Sequence, residues 1–184
     1  KLVSAGLIAS REGVYSLTSS GRHYVGSISI DTGQLRKQPK ICVMLYSVNL
    51  SGELLLYRWQ RQPYFNKVSL PYGKTQLGKS MEENVHHEAA MKLGVPVSVD
   101  GYLGDFYQKI MGQDGTLISH MLVHVFKVSL VNASASLTSQ QSGQIFWSHP
   151  DKIVDTERIA GFQEILDFIT TQQIKQITEI TSQD

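Results

Sequence analysis

Glu88 and Lys92 stand four residues apart, acid before base, the orientation in which two side chains on one helical face attract each other. The residues leave two readings of this pair open. It is a surface ion pair contributing about 0.3–0.5 kcal/mol, or it is an ammonium held beside a carboxylate to neutralise a ligand's charge and touch a phosphate. Arg58, at the end of the apolar run Leu54–Tyr57, has the forked donors that suit a phosphate or a structural salt bridge. His86 and His87 cannot chelate one ion from a helix, because neighbours there point about 100° apart. His120 and His124 share a face if their segment is a strand, as half-exposed cross-strand neighbours or as the lining of a pocket. Tyr64, Phe65, Tyr72 and Phe106 are aromatic rings for a base to stack on, or for the core. Cys42 is the only cysteine, which excludes an intramolecular disulfide and a cysteine-based zinc site. It reads as a small buried hydrophobe in a reducing, cytoplasmic compartment.

The element that must carry Glu88 and Lys92 has the strongest helix signals in the chain. Ser80 and Glu83 form a capping box, Val85, Ala89, Ala90 and Leu93 form an apolar stripe, and Gly94 is the stop, predicting a helix over 81–93. Before it, 40–47 and 53–60 read as strands joined by Ser51-Gly52 into a hairpin, and 68–70 as a short strand. After it, 101–110 and 116–130 read as strands about a turn at 112–115. Residues 132–143 read as a mobile Ser/Ala/Gln-rich loop, 144–148 as a strand, and 161–180 as an apolar-faced helix.

A chain of 184 residues buries about two thirds of its unfolded surface and needs no metal staple. With 41% hydrophobic and 18% charged residues it is not a disordered chain. No apolar run approaches the roughly 20 residues of a membrane helix, and no signal peptide is evident. The first residue is Lys1 rather than methionine, which reads as the edge of a larger protein. Residues 1–40 carry six basic and two acidic residues, net +4, and the remainder eleven and fourteen, net −3. This asymmetry suggests two units with different partners. The polar, turn-rich stretch Asp31–Pro39 reads as a linker, dividing the chain into 1–35 and 36–184.

The first unit reads as a helix end broken at Gly6, a hairpin turning at Arg11-Glu12-Gly13, and a short helix capped by Thr18. The run Ala5-Gly6-Leu7-Ile8, Arg11, Gly13, Tyr15, Leu17-Thr18 and Gly21 resembles the last third of a winged-helix DNA-binding domain. The resemblance implies DNA contacts from Lys1 and Arg11 when the domain is complete, and a role in transcription regulation.

The segment Leu54–Val95 resembles the core of the Nudix superfamily. Leu54-Leu55-Leu56-Tyr57-Arg58 matches its strand, Val68-Ser69-Leu70-Pro71-Tyr72-Gly73 its loop, and Gly73 to Val95 has the length of the Nudix box, with Gly73, Glu88, Ala89, Gly94 and Val95 matching. Gln144-Ile145-Phe146-Trp147 and Pro150-Asp151 resemble the strand and turn before that family's last helix. The implied fold is α/β, a Nudix-type mixed sheet between helices preceded by a winged-helix remnant. In that family, box carboxylates hold magnesium. Here Met91 offers no oxygen, Lys92 places an ammonium where a second carboxylate belongs, Lys79 replaces an early glutamate, and His87 replaces an arginine. Magnesium demands oxygen ligands in near-octahedral geometry, so no metal or other cofactor is expected. The resulting expectation is a non-catalytic sensing domain for a nucleotide derivative of the ADP-ribose kind, binding through Arg58, Tyr72, Glu88, Lys92 and Gln144. Its partners would be that ligand, DNA and a second copy of the chain in a homodimer, with no membrane. The competing expectation is a magnesium-dependent hydrolase of a nucleoside diphosphate linked to another group. Glu88 would be its catalytic carboxylate, and Asp105 and Gln144 would supplement it as metal ligands. A third is an interaction role with an empty pocket.

Overall fold

The computed structural model describes all residues except 30–33, 36–37, 63, 113–114, 116, 133–136, 138–141, 172–178 and 184. It divides into two units, Lys1–Gln38 and Pro39–Asp184. No helix among the described residues is long and apolar enough to cross a membrane.

In the first unit the opening turn is closed by bonds from Leu7 N–H to Leu2 O (3.1 Å) and Gly6 N–H to Val3 O (3.0 Å). That is the Schellman pattern of a helix end, with Gly6 in the left-handed region at φ 69°. Strands β1 (Ile8–Arg11) and β2 (Val14–Leu17) pair antiparallel in full register about Glu12-Gly13, and Arg11 is exposed beside that turn. Thr18 then caps α1 (Ser19–Ser27), its hydroxyl accepting from Gly21 N–H. Gly21 packs directly on the hairpin: a Cβ there would lie 1.9 Å from Leu7 O, so this position admits no side chain. The linker expected at 31–39 lies partly outside the described residues, as does most of the loop expected at 132–143.

The second unit contains two sheets. The five-stranded sheet has the order β10–β7–β8–β3–β6 and the three-stranded sheet β5–β4–β9. The strands are β3 (Lys40–Tyr46), β4 (Leu54–Trp59), β5 (Val68–Ser69), β6 (Tyr72–Lys74), β7 (Val97–Met111), β8 (Leu117–Leu130), β9 (Gly143–Ser148) and β10 (Glu179–Gln183). β3 runs parallel to β8 and β10 parallel to β7, and the other ladders are antiparallel, so the architecture is mixed α/β.

Alternation along β3 explains why its sequence is apolar from Ile41 to Leu45. Cys42 and Met44 enter a core shared with Leu56, Phe106, Val123 and Phe168, under helix α3 (Phe162–Thr171). Val43 and Leu45 enter a second core with Leu55, Tyr57, Val85, Ala89 and Leu93, under helix α2 (Met81–Leu93). Each fully buried leucine contributes roughly 1.5–3 kcal/mol. Cys42 is buried, and burial pushes its thiol up to about 11.

Two expectations are corrected. β3 and β4 do not form a hairpin: β3 pairs with β6 and β8, β4 with β5 and β9, and only a single bridge, Val48 to Leu54, links the segment between them. The helix expected over 161–180 ends at Thr171 in the described residues, and Ile180 lies in β10, opposite Gln108 of β7.

Candidate functional site

Helix α2 begins and ends where its local chemistry requires. Ser80 N–H donates to Glu83 Oε2 (2.6 Å) while Glu83 N–H donates to Ser80 Oγ (3.2 Å), closing the capping box. Gly94 ends the helix in the left-handed region. Val85, Ala89 and Leu93 dock into the core, and the turn between them puts Glu88 and Lys92 against the sheet as well, with only 7% and 8% of their surfaces exposed. The surface-pair reading of Glu88 and Lys92 is therefore wrong: this is a buried acid–base pair.

Lys92 Nζ lies 3.4 Å from Glu88 Oε1. It also sits over two aromatic rings, 4.4 Å from the centroid of Trp59 and 4.5 Å from that of Tyr57. Each ring presents the negative face of its quadrupole to the ammonium. The cage is braced from behind. Trp59 Nε1–H donates to Ser69 Oγ (2.8 Å), its ring lies 4.9 Å from that of Tyr72, and the Tyr57 hydroxyl is 2.6 Å from Ser142 Oγ. On the far side of Glu88, strand β6 comes so close that a Cβ at Gly73 would fall 2.1 Å from Glu88 Oε2. Gly73 thus leaves room for the carboxylate. Gly73→Ala is expected to displace Glu88 from Lys92 and destabilise the unit by about 1–3 kcal/mol, the usual cost of overpacking, as read by urea denaturation.

Burial dominates the electrostatics of this pair. It pushes the Glu88 carboxyl up from its ordinary range against the opposing pull of Lys92. It pushes Lys92 down against the opposing pull of Glu88, and the nearby Arg61 charge adds to the lowering. Arg61 is exposed in the loop after β4, and its charge is the smallest of the influences on Lys92.

The remaining sequence candidates separate into different places. Tyr72 adjoins the cage through its contact with Trp59 and is itself buried, which raises its hydroxyl well above its ordinary range. Arg58 and Gln144 are cross-strand partners in the β4–β9 ladder, on the face of β4 opposite Tyr57 and Trp59. Arg58 Nη2 donates to Glu157 Oε2 (3.0 Å) and its guanidinium lies 5.8 Å from the centre of the Phe146 ring, so it makes a structural ion pair. Gln144 is exposed. Asp105 pairs across strands with His124 of β8, whose Nδ1 lies 2.5 Å from its Oδ1. His120 packs edge-on against Tyr107. Phe106 is wholly buried under α3, Tyr64 flanks Trp59, and Phe65 is exposed. His87 is 2.6 Å from Gln76, nitrogen to nitrogen, and ties the helix to the loop before it.

Glu88, Asp105 and Gln144 are therefore not assembled into one donor set, and no group of three or more histidine, cysteine, aspartate or glutamate side chains suited to a metal exists among the described residues. At Glu88 the position beside the carboxylate is taken by the Lys92 ammonium. The residues present do not fit a magnesium ion. Two cavities of about 460 and 490 Å³ lie elsewhere, one beside Lys74 and Lys79 and one beside Trp147, and neither is lined by Glu88 or Lys92.

No protein-family model and no curated protein matches this sequence. Solved structures do match its fold. A MutT protein from Methanosarcina mazei Go1 is 22% identical over 76% of this chain and 96% of its own, with a TM-score of 0.58. A UDP-X diphosphatase is 18% identical over 89% of this chain and 76% of its own, with a TM-score of 0.59. The Nudix domain of NrtR from Shewanella oneidensis, crystallised with ADP ribose, is 14% identical over 85% of this chain and 99% of its own, with a TM-score of 0.58. The two sheets with α2 against one face and α3 against the other are the Nudix fold, and that is the fold of the second unit, Pro39–Asp184.

Proposed function

We propose that residues 39–184 bind a nucleotide derivative of the ADP-ribose kind without hydrolysing it and without a metal ion. The observation that carries this reading is the Lys92 ammonium, buried between Glu88, Trp59 and Tyr57. It supplies positive charge at the carboxylate from the chain itself, and the charge of exposed Arg61 acts on the same ammonium. A pyrophosphate bridge is the part of such a ligand that two cations would attract. The ADP-ribose complex of the NrtR domain gives the ligand class its precedent on this fold. The first unit extends the reading to a cytoplasmic regulator that contacts DNA through a winged helix, supported by the exposed Arg11 at the hairpin turn and the helix end at Lys1–Gly6.

Isothermal titration with ADP-ribose is expected to give the same affinity in magnesium and in a chelator, and a weaker one after Arg61→Ala. Magnesium-dependent release of a nucleoside monophosphate, abolished by Glu88→Gln, would make the chain a hydrolase instead. For the first unit, fluorescence anisotropy of duplex DNA with the intact protein should show affinity falling steeply with salt, because phosphate contacts release counterions. Salt-insensitive binding would remove the wing from the interface.

A further inference from the structure

The loop leaving β3 and the ends of β8 and β9 enclose a cavity of about 490 Å³, walled by Ser47, Val48, Leu50, Leu130 and Trp147. Glu88, Lys92, Trp59 and Tyr57 have no part in it. Alternation decides which side chains meet there. Ser47 extends the Val43–Leu45 row on the α2 side of β3, and Trp147 stands opposite Leu55 in the β4–β9 ladder, packed on the same core. Two of these side chains are uncommitted. Ser47 is only 3% exposed, yet among the described residues its hydroxyl makes no hydrogen bond. Trp147 is half-buried, and among the described residues its indole meets neither a hydrogen-bond partner nor another ring. Trp59, by contrast, commits its N–H to Ser69 and its ring to Tyr57, Tyr64 and Tyr72.

The loop that forms one wall is held in place before any ligand arrives. Asn49 Oδ1 accepts from Ser51 N–H (3.0 Å) and Glu53 N–H (2.9 Å), and Asn49 Nδ2 donates to Glu53 Oε2 (2.9 Å). Such bonds reduce the ordering that a ligand must otherwise impose, and they also remove the Asn49 amide from ligand recognition. No ionisable side chain lines the cavity. The two charged groups bonded to its walls are both carboxylates, Glu53 at Asn49 and Asp100 at 2.5 Å from Ser129 Oγ. An anion would lose its water there without gaining a counter-charge. A sugar would leave most of its hydroxyls against Val48, Leu50 and Leu130 without partners. A flat aromatic ring meets neither penalty. It stacks on an indole face, and a single polar substituent completes the buried Ser47 hydroxyl, which both donates and accepts. A cavity of this volume is in the range that holds a small ligand.

We propose that this cavity binds a small uncharged aromatic compound of one or two rings, stacked on Trp147 and hydrogen-bonded through one polar group to Ser47. The site is independent of the Glu88–Lys92 reading and of its outcome, and the chain's two tryptophans tell the sites apart, Trp59 reporting on that one and Trp147 on this one. The test is titration of the 15N-labelled 184-residue chain with indole, following the two indole N–H resonances, which Trp147→Phe assigns. The expected result is a saturable shift of the Trp147 resonance with that of Trp59 unmoved. In the parent, 1-methylindole, which lacks the N–H donor, should bind about fivefold more weakly, the scale of one lost hydrogen bond. Ser47→Ala should remove that preference. Val48→Arg, at a half-exposed wall position, should weaken indole at least tenfold while leaving the urea midpoint in place. Indole-5-carboxylate and glucose should give no saturable shift. The absence of a saturable indole shift, or a shift of Trp59 in place of Trp147, would overturn the proposal. So would equal binding of 1-methylindole in the parent, unchanged indole binding in Val48→Arg, or binding of the carboxylate or of glucose as tight as that of indole.

Discussion

Lys92→Met is expected to destabilise the second unit by about 3–5 kcal/mol, because it leaves Glu88 buried without its counter-charge. Glu88→Gln combined with Lys92→Met should return stability to near that of the parent, since removing both charges removes the desolvation cost along with the attraction. Urea denaturation followed by tryptophan fluorescence reads this unit alone, because both tryptophans, Trp59 and Trp147, lie in it. The dependence on pH supplies a second signature. Burial already holds the folded Glu88 carboxyl above its ordinary range, and loss of Lys92 removes the first of the effects that oppose this. A group whose folded value is raised binds more protons in the folded state, so its contribution is present at low pH and lost as pH rises through that folded value. Lys92→Met should therefore regain stability relative to the parent as pH falls from neutrality, and the variant with Glu88→Gln as well should not. A loss below about 0.5 kcal/mol for Lys92→Met would match an exposed pair and contradict the buried cage.

Introducing Met91→Glu and Lys92→Glu together should turn a magnesium-indifferent protein into a magnesium-responsive one. Lys92→Glu changes the charge beside Glu88 by two units, and the two new carboxylates stand three and four residues along the same helix, within reach of a shared ion. In a chelator the variant should unfold more easily than the parent, because carboxylates then crowd a buried position. Added magnesium should raise its unfolding temperature, by the equivalent of about 2.7 kcal/mol when the ion is at a hundred times its dissociation constant. The parent's unfolding temperature should not move. A rise in the parent that Glu88→Gln removes would show that Lys92 does not exclude the ion. Hydrolysis is a further step: Lys79 is exposed in the loop before the helix and His87 is tied to Gln76, so neither contributes to the carboxylate cluster.

The parts of this fold that sequence announces are those whose signals are local. Helix α2 is bounded by Ser80, Glu83 and Gly94, each acting within a few residues, and it occupies the expected span. The β3–β4 hairpin failed because Ser51-Gly52 reports only a turn. Which strand a strand pairs with depends on partners eighty residues away, such as Val123 and Val125 opposite Cys42 and Met44. The apolar pattern after Gly161 runs on past Thr171 as if the helix did too, yet Ile180 is a strand residue, because short apolar runs fit either period. At the site, the Glu88–Lys92 pair was legible in the spacing but its burial was not. Tyr57 and Trp59 were readable as strand residues, and alternation alone would have put them on one face with Leu55 and Arg58 on the other face with Leu56. That Lys92 meets that aromatic face required the packing of α2 on the sheet.

Lys92 also changes what the site answers to. A diffusible ion occupies its ligands to an extent set by its concentration, so a metal-loaded pocket carries the composition of its surroundings into its affinity. An ammonium on the same helix as its carboxylate is an intramolecular partner, present at an effective concentration fixed by the backbone. Its occupancy next to Glu88, Trp59 and Tyr57 is therefore a property of the folded state. Chelators and competing cations have nothing to extract, and the charge at this position stays constant while the ionic makeup of the solution varies.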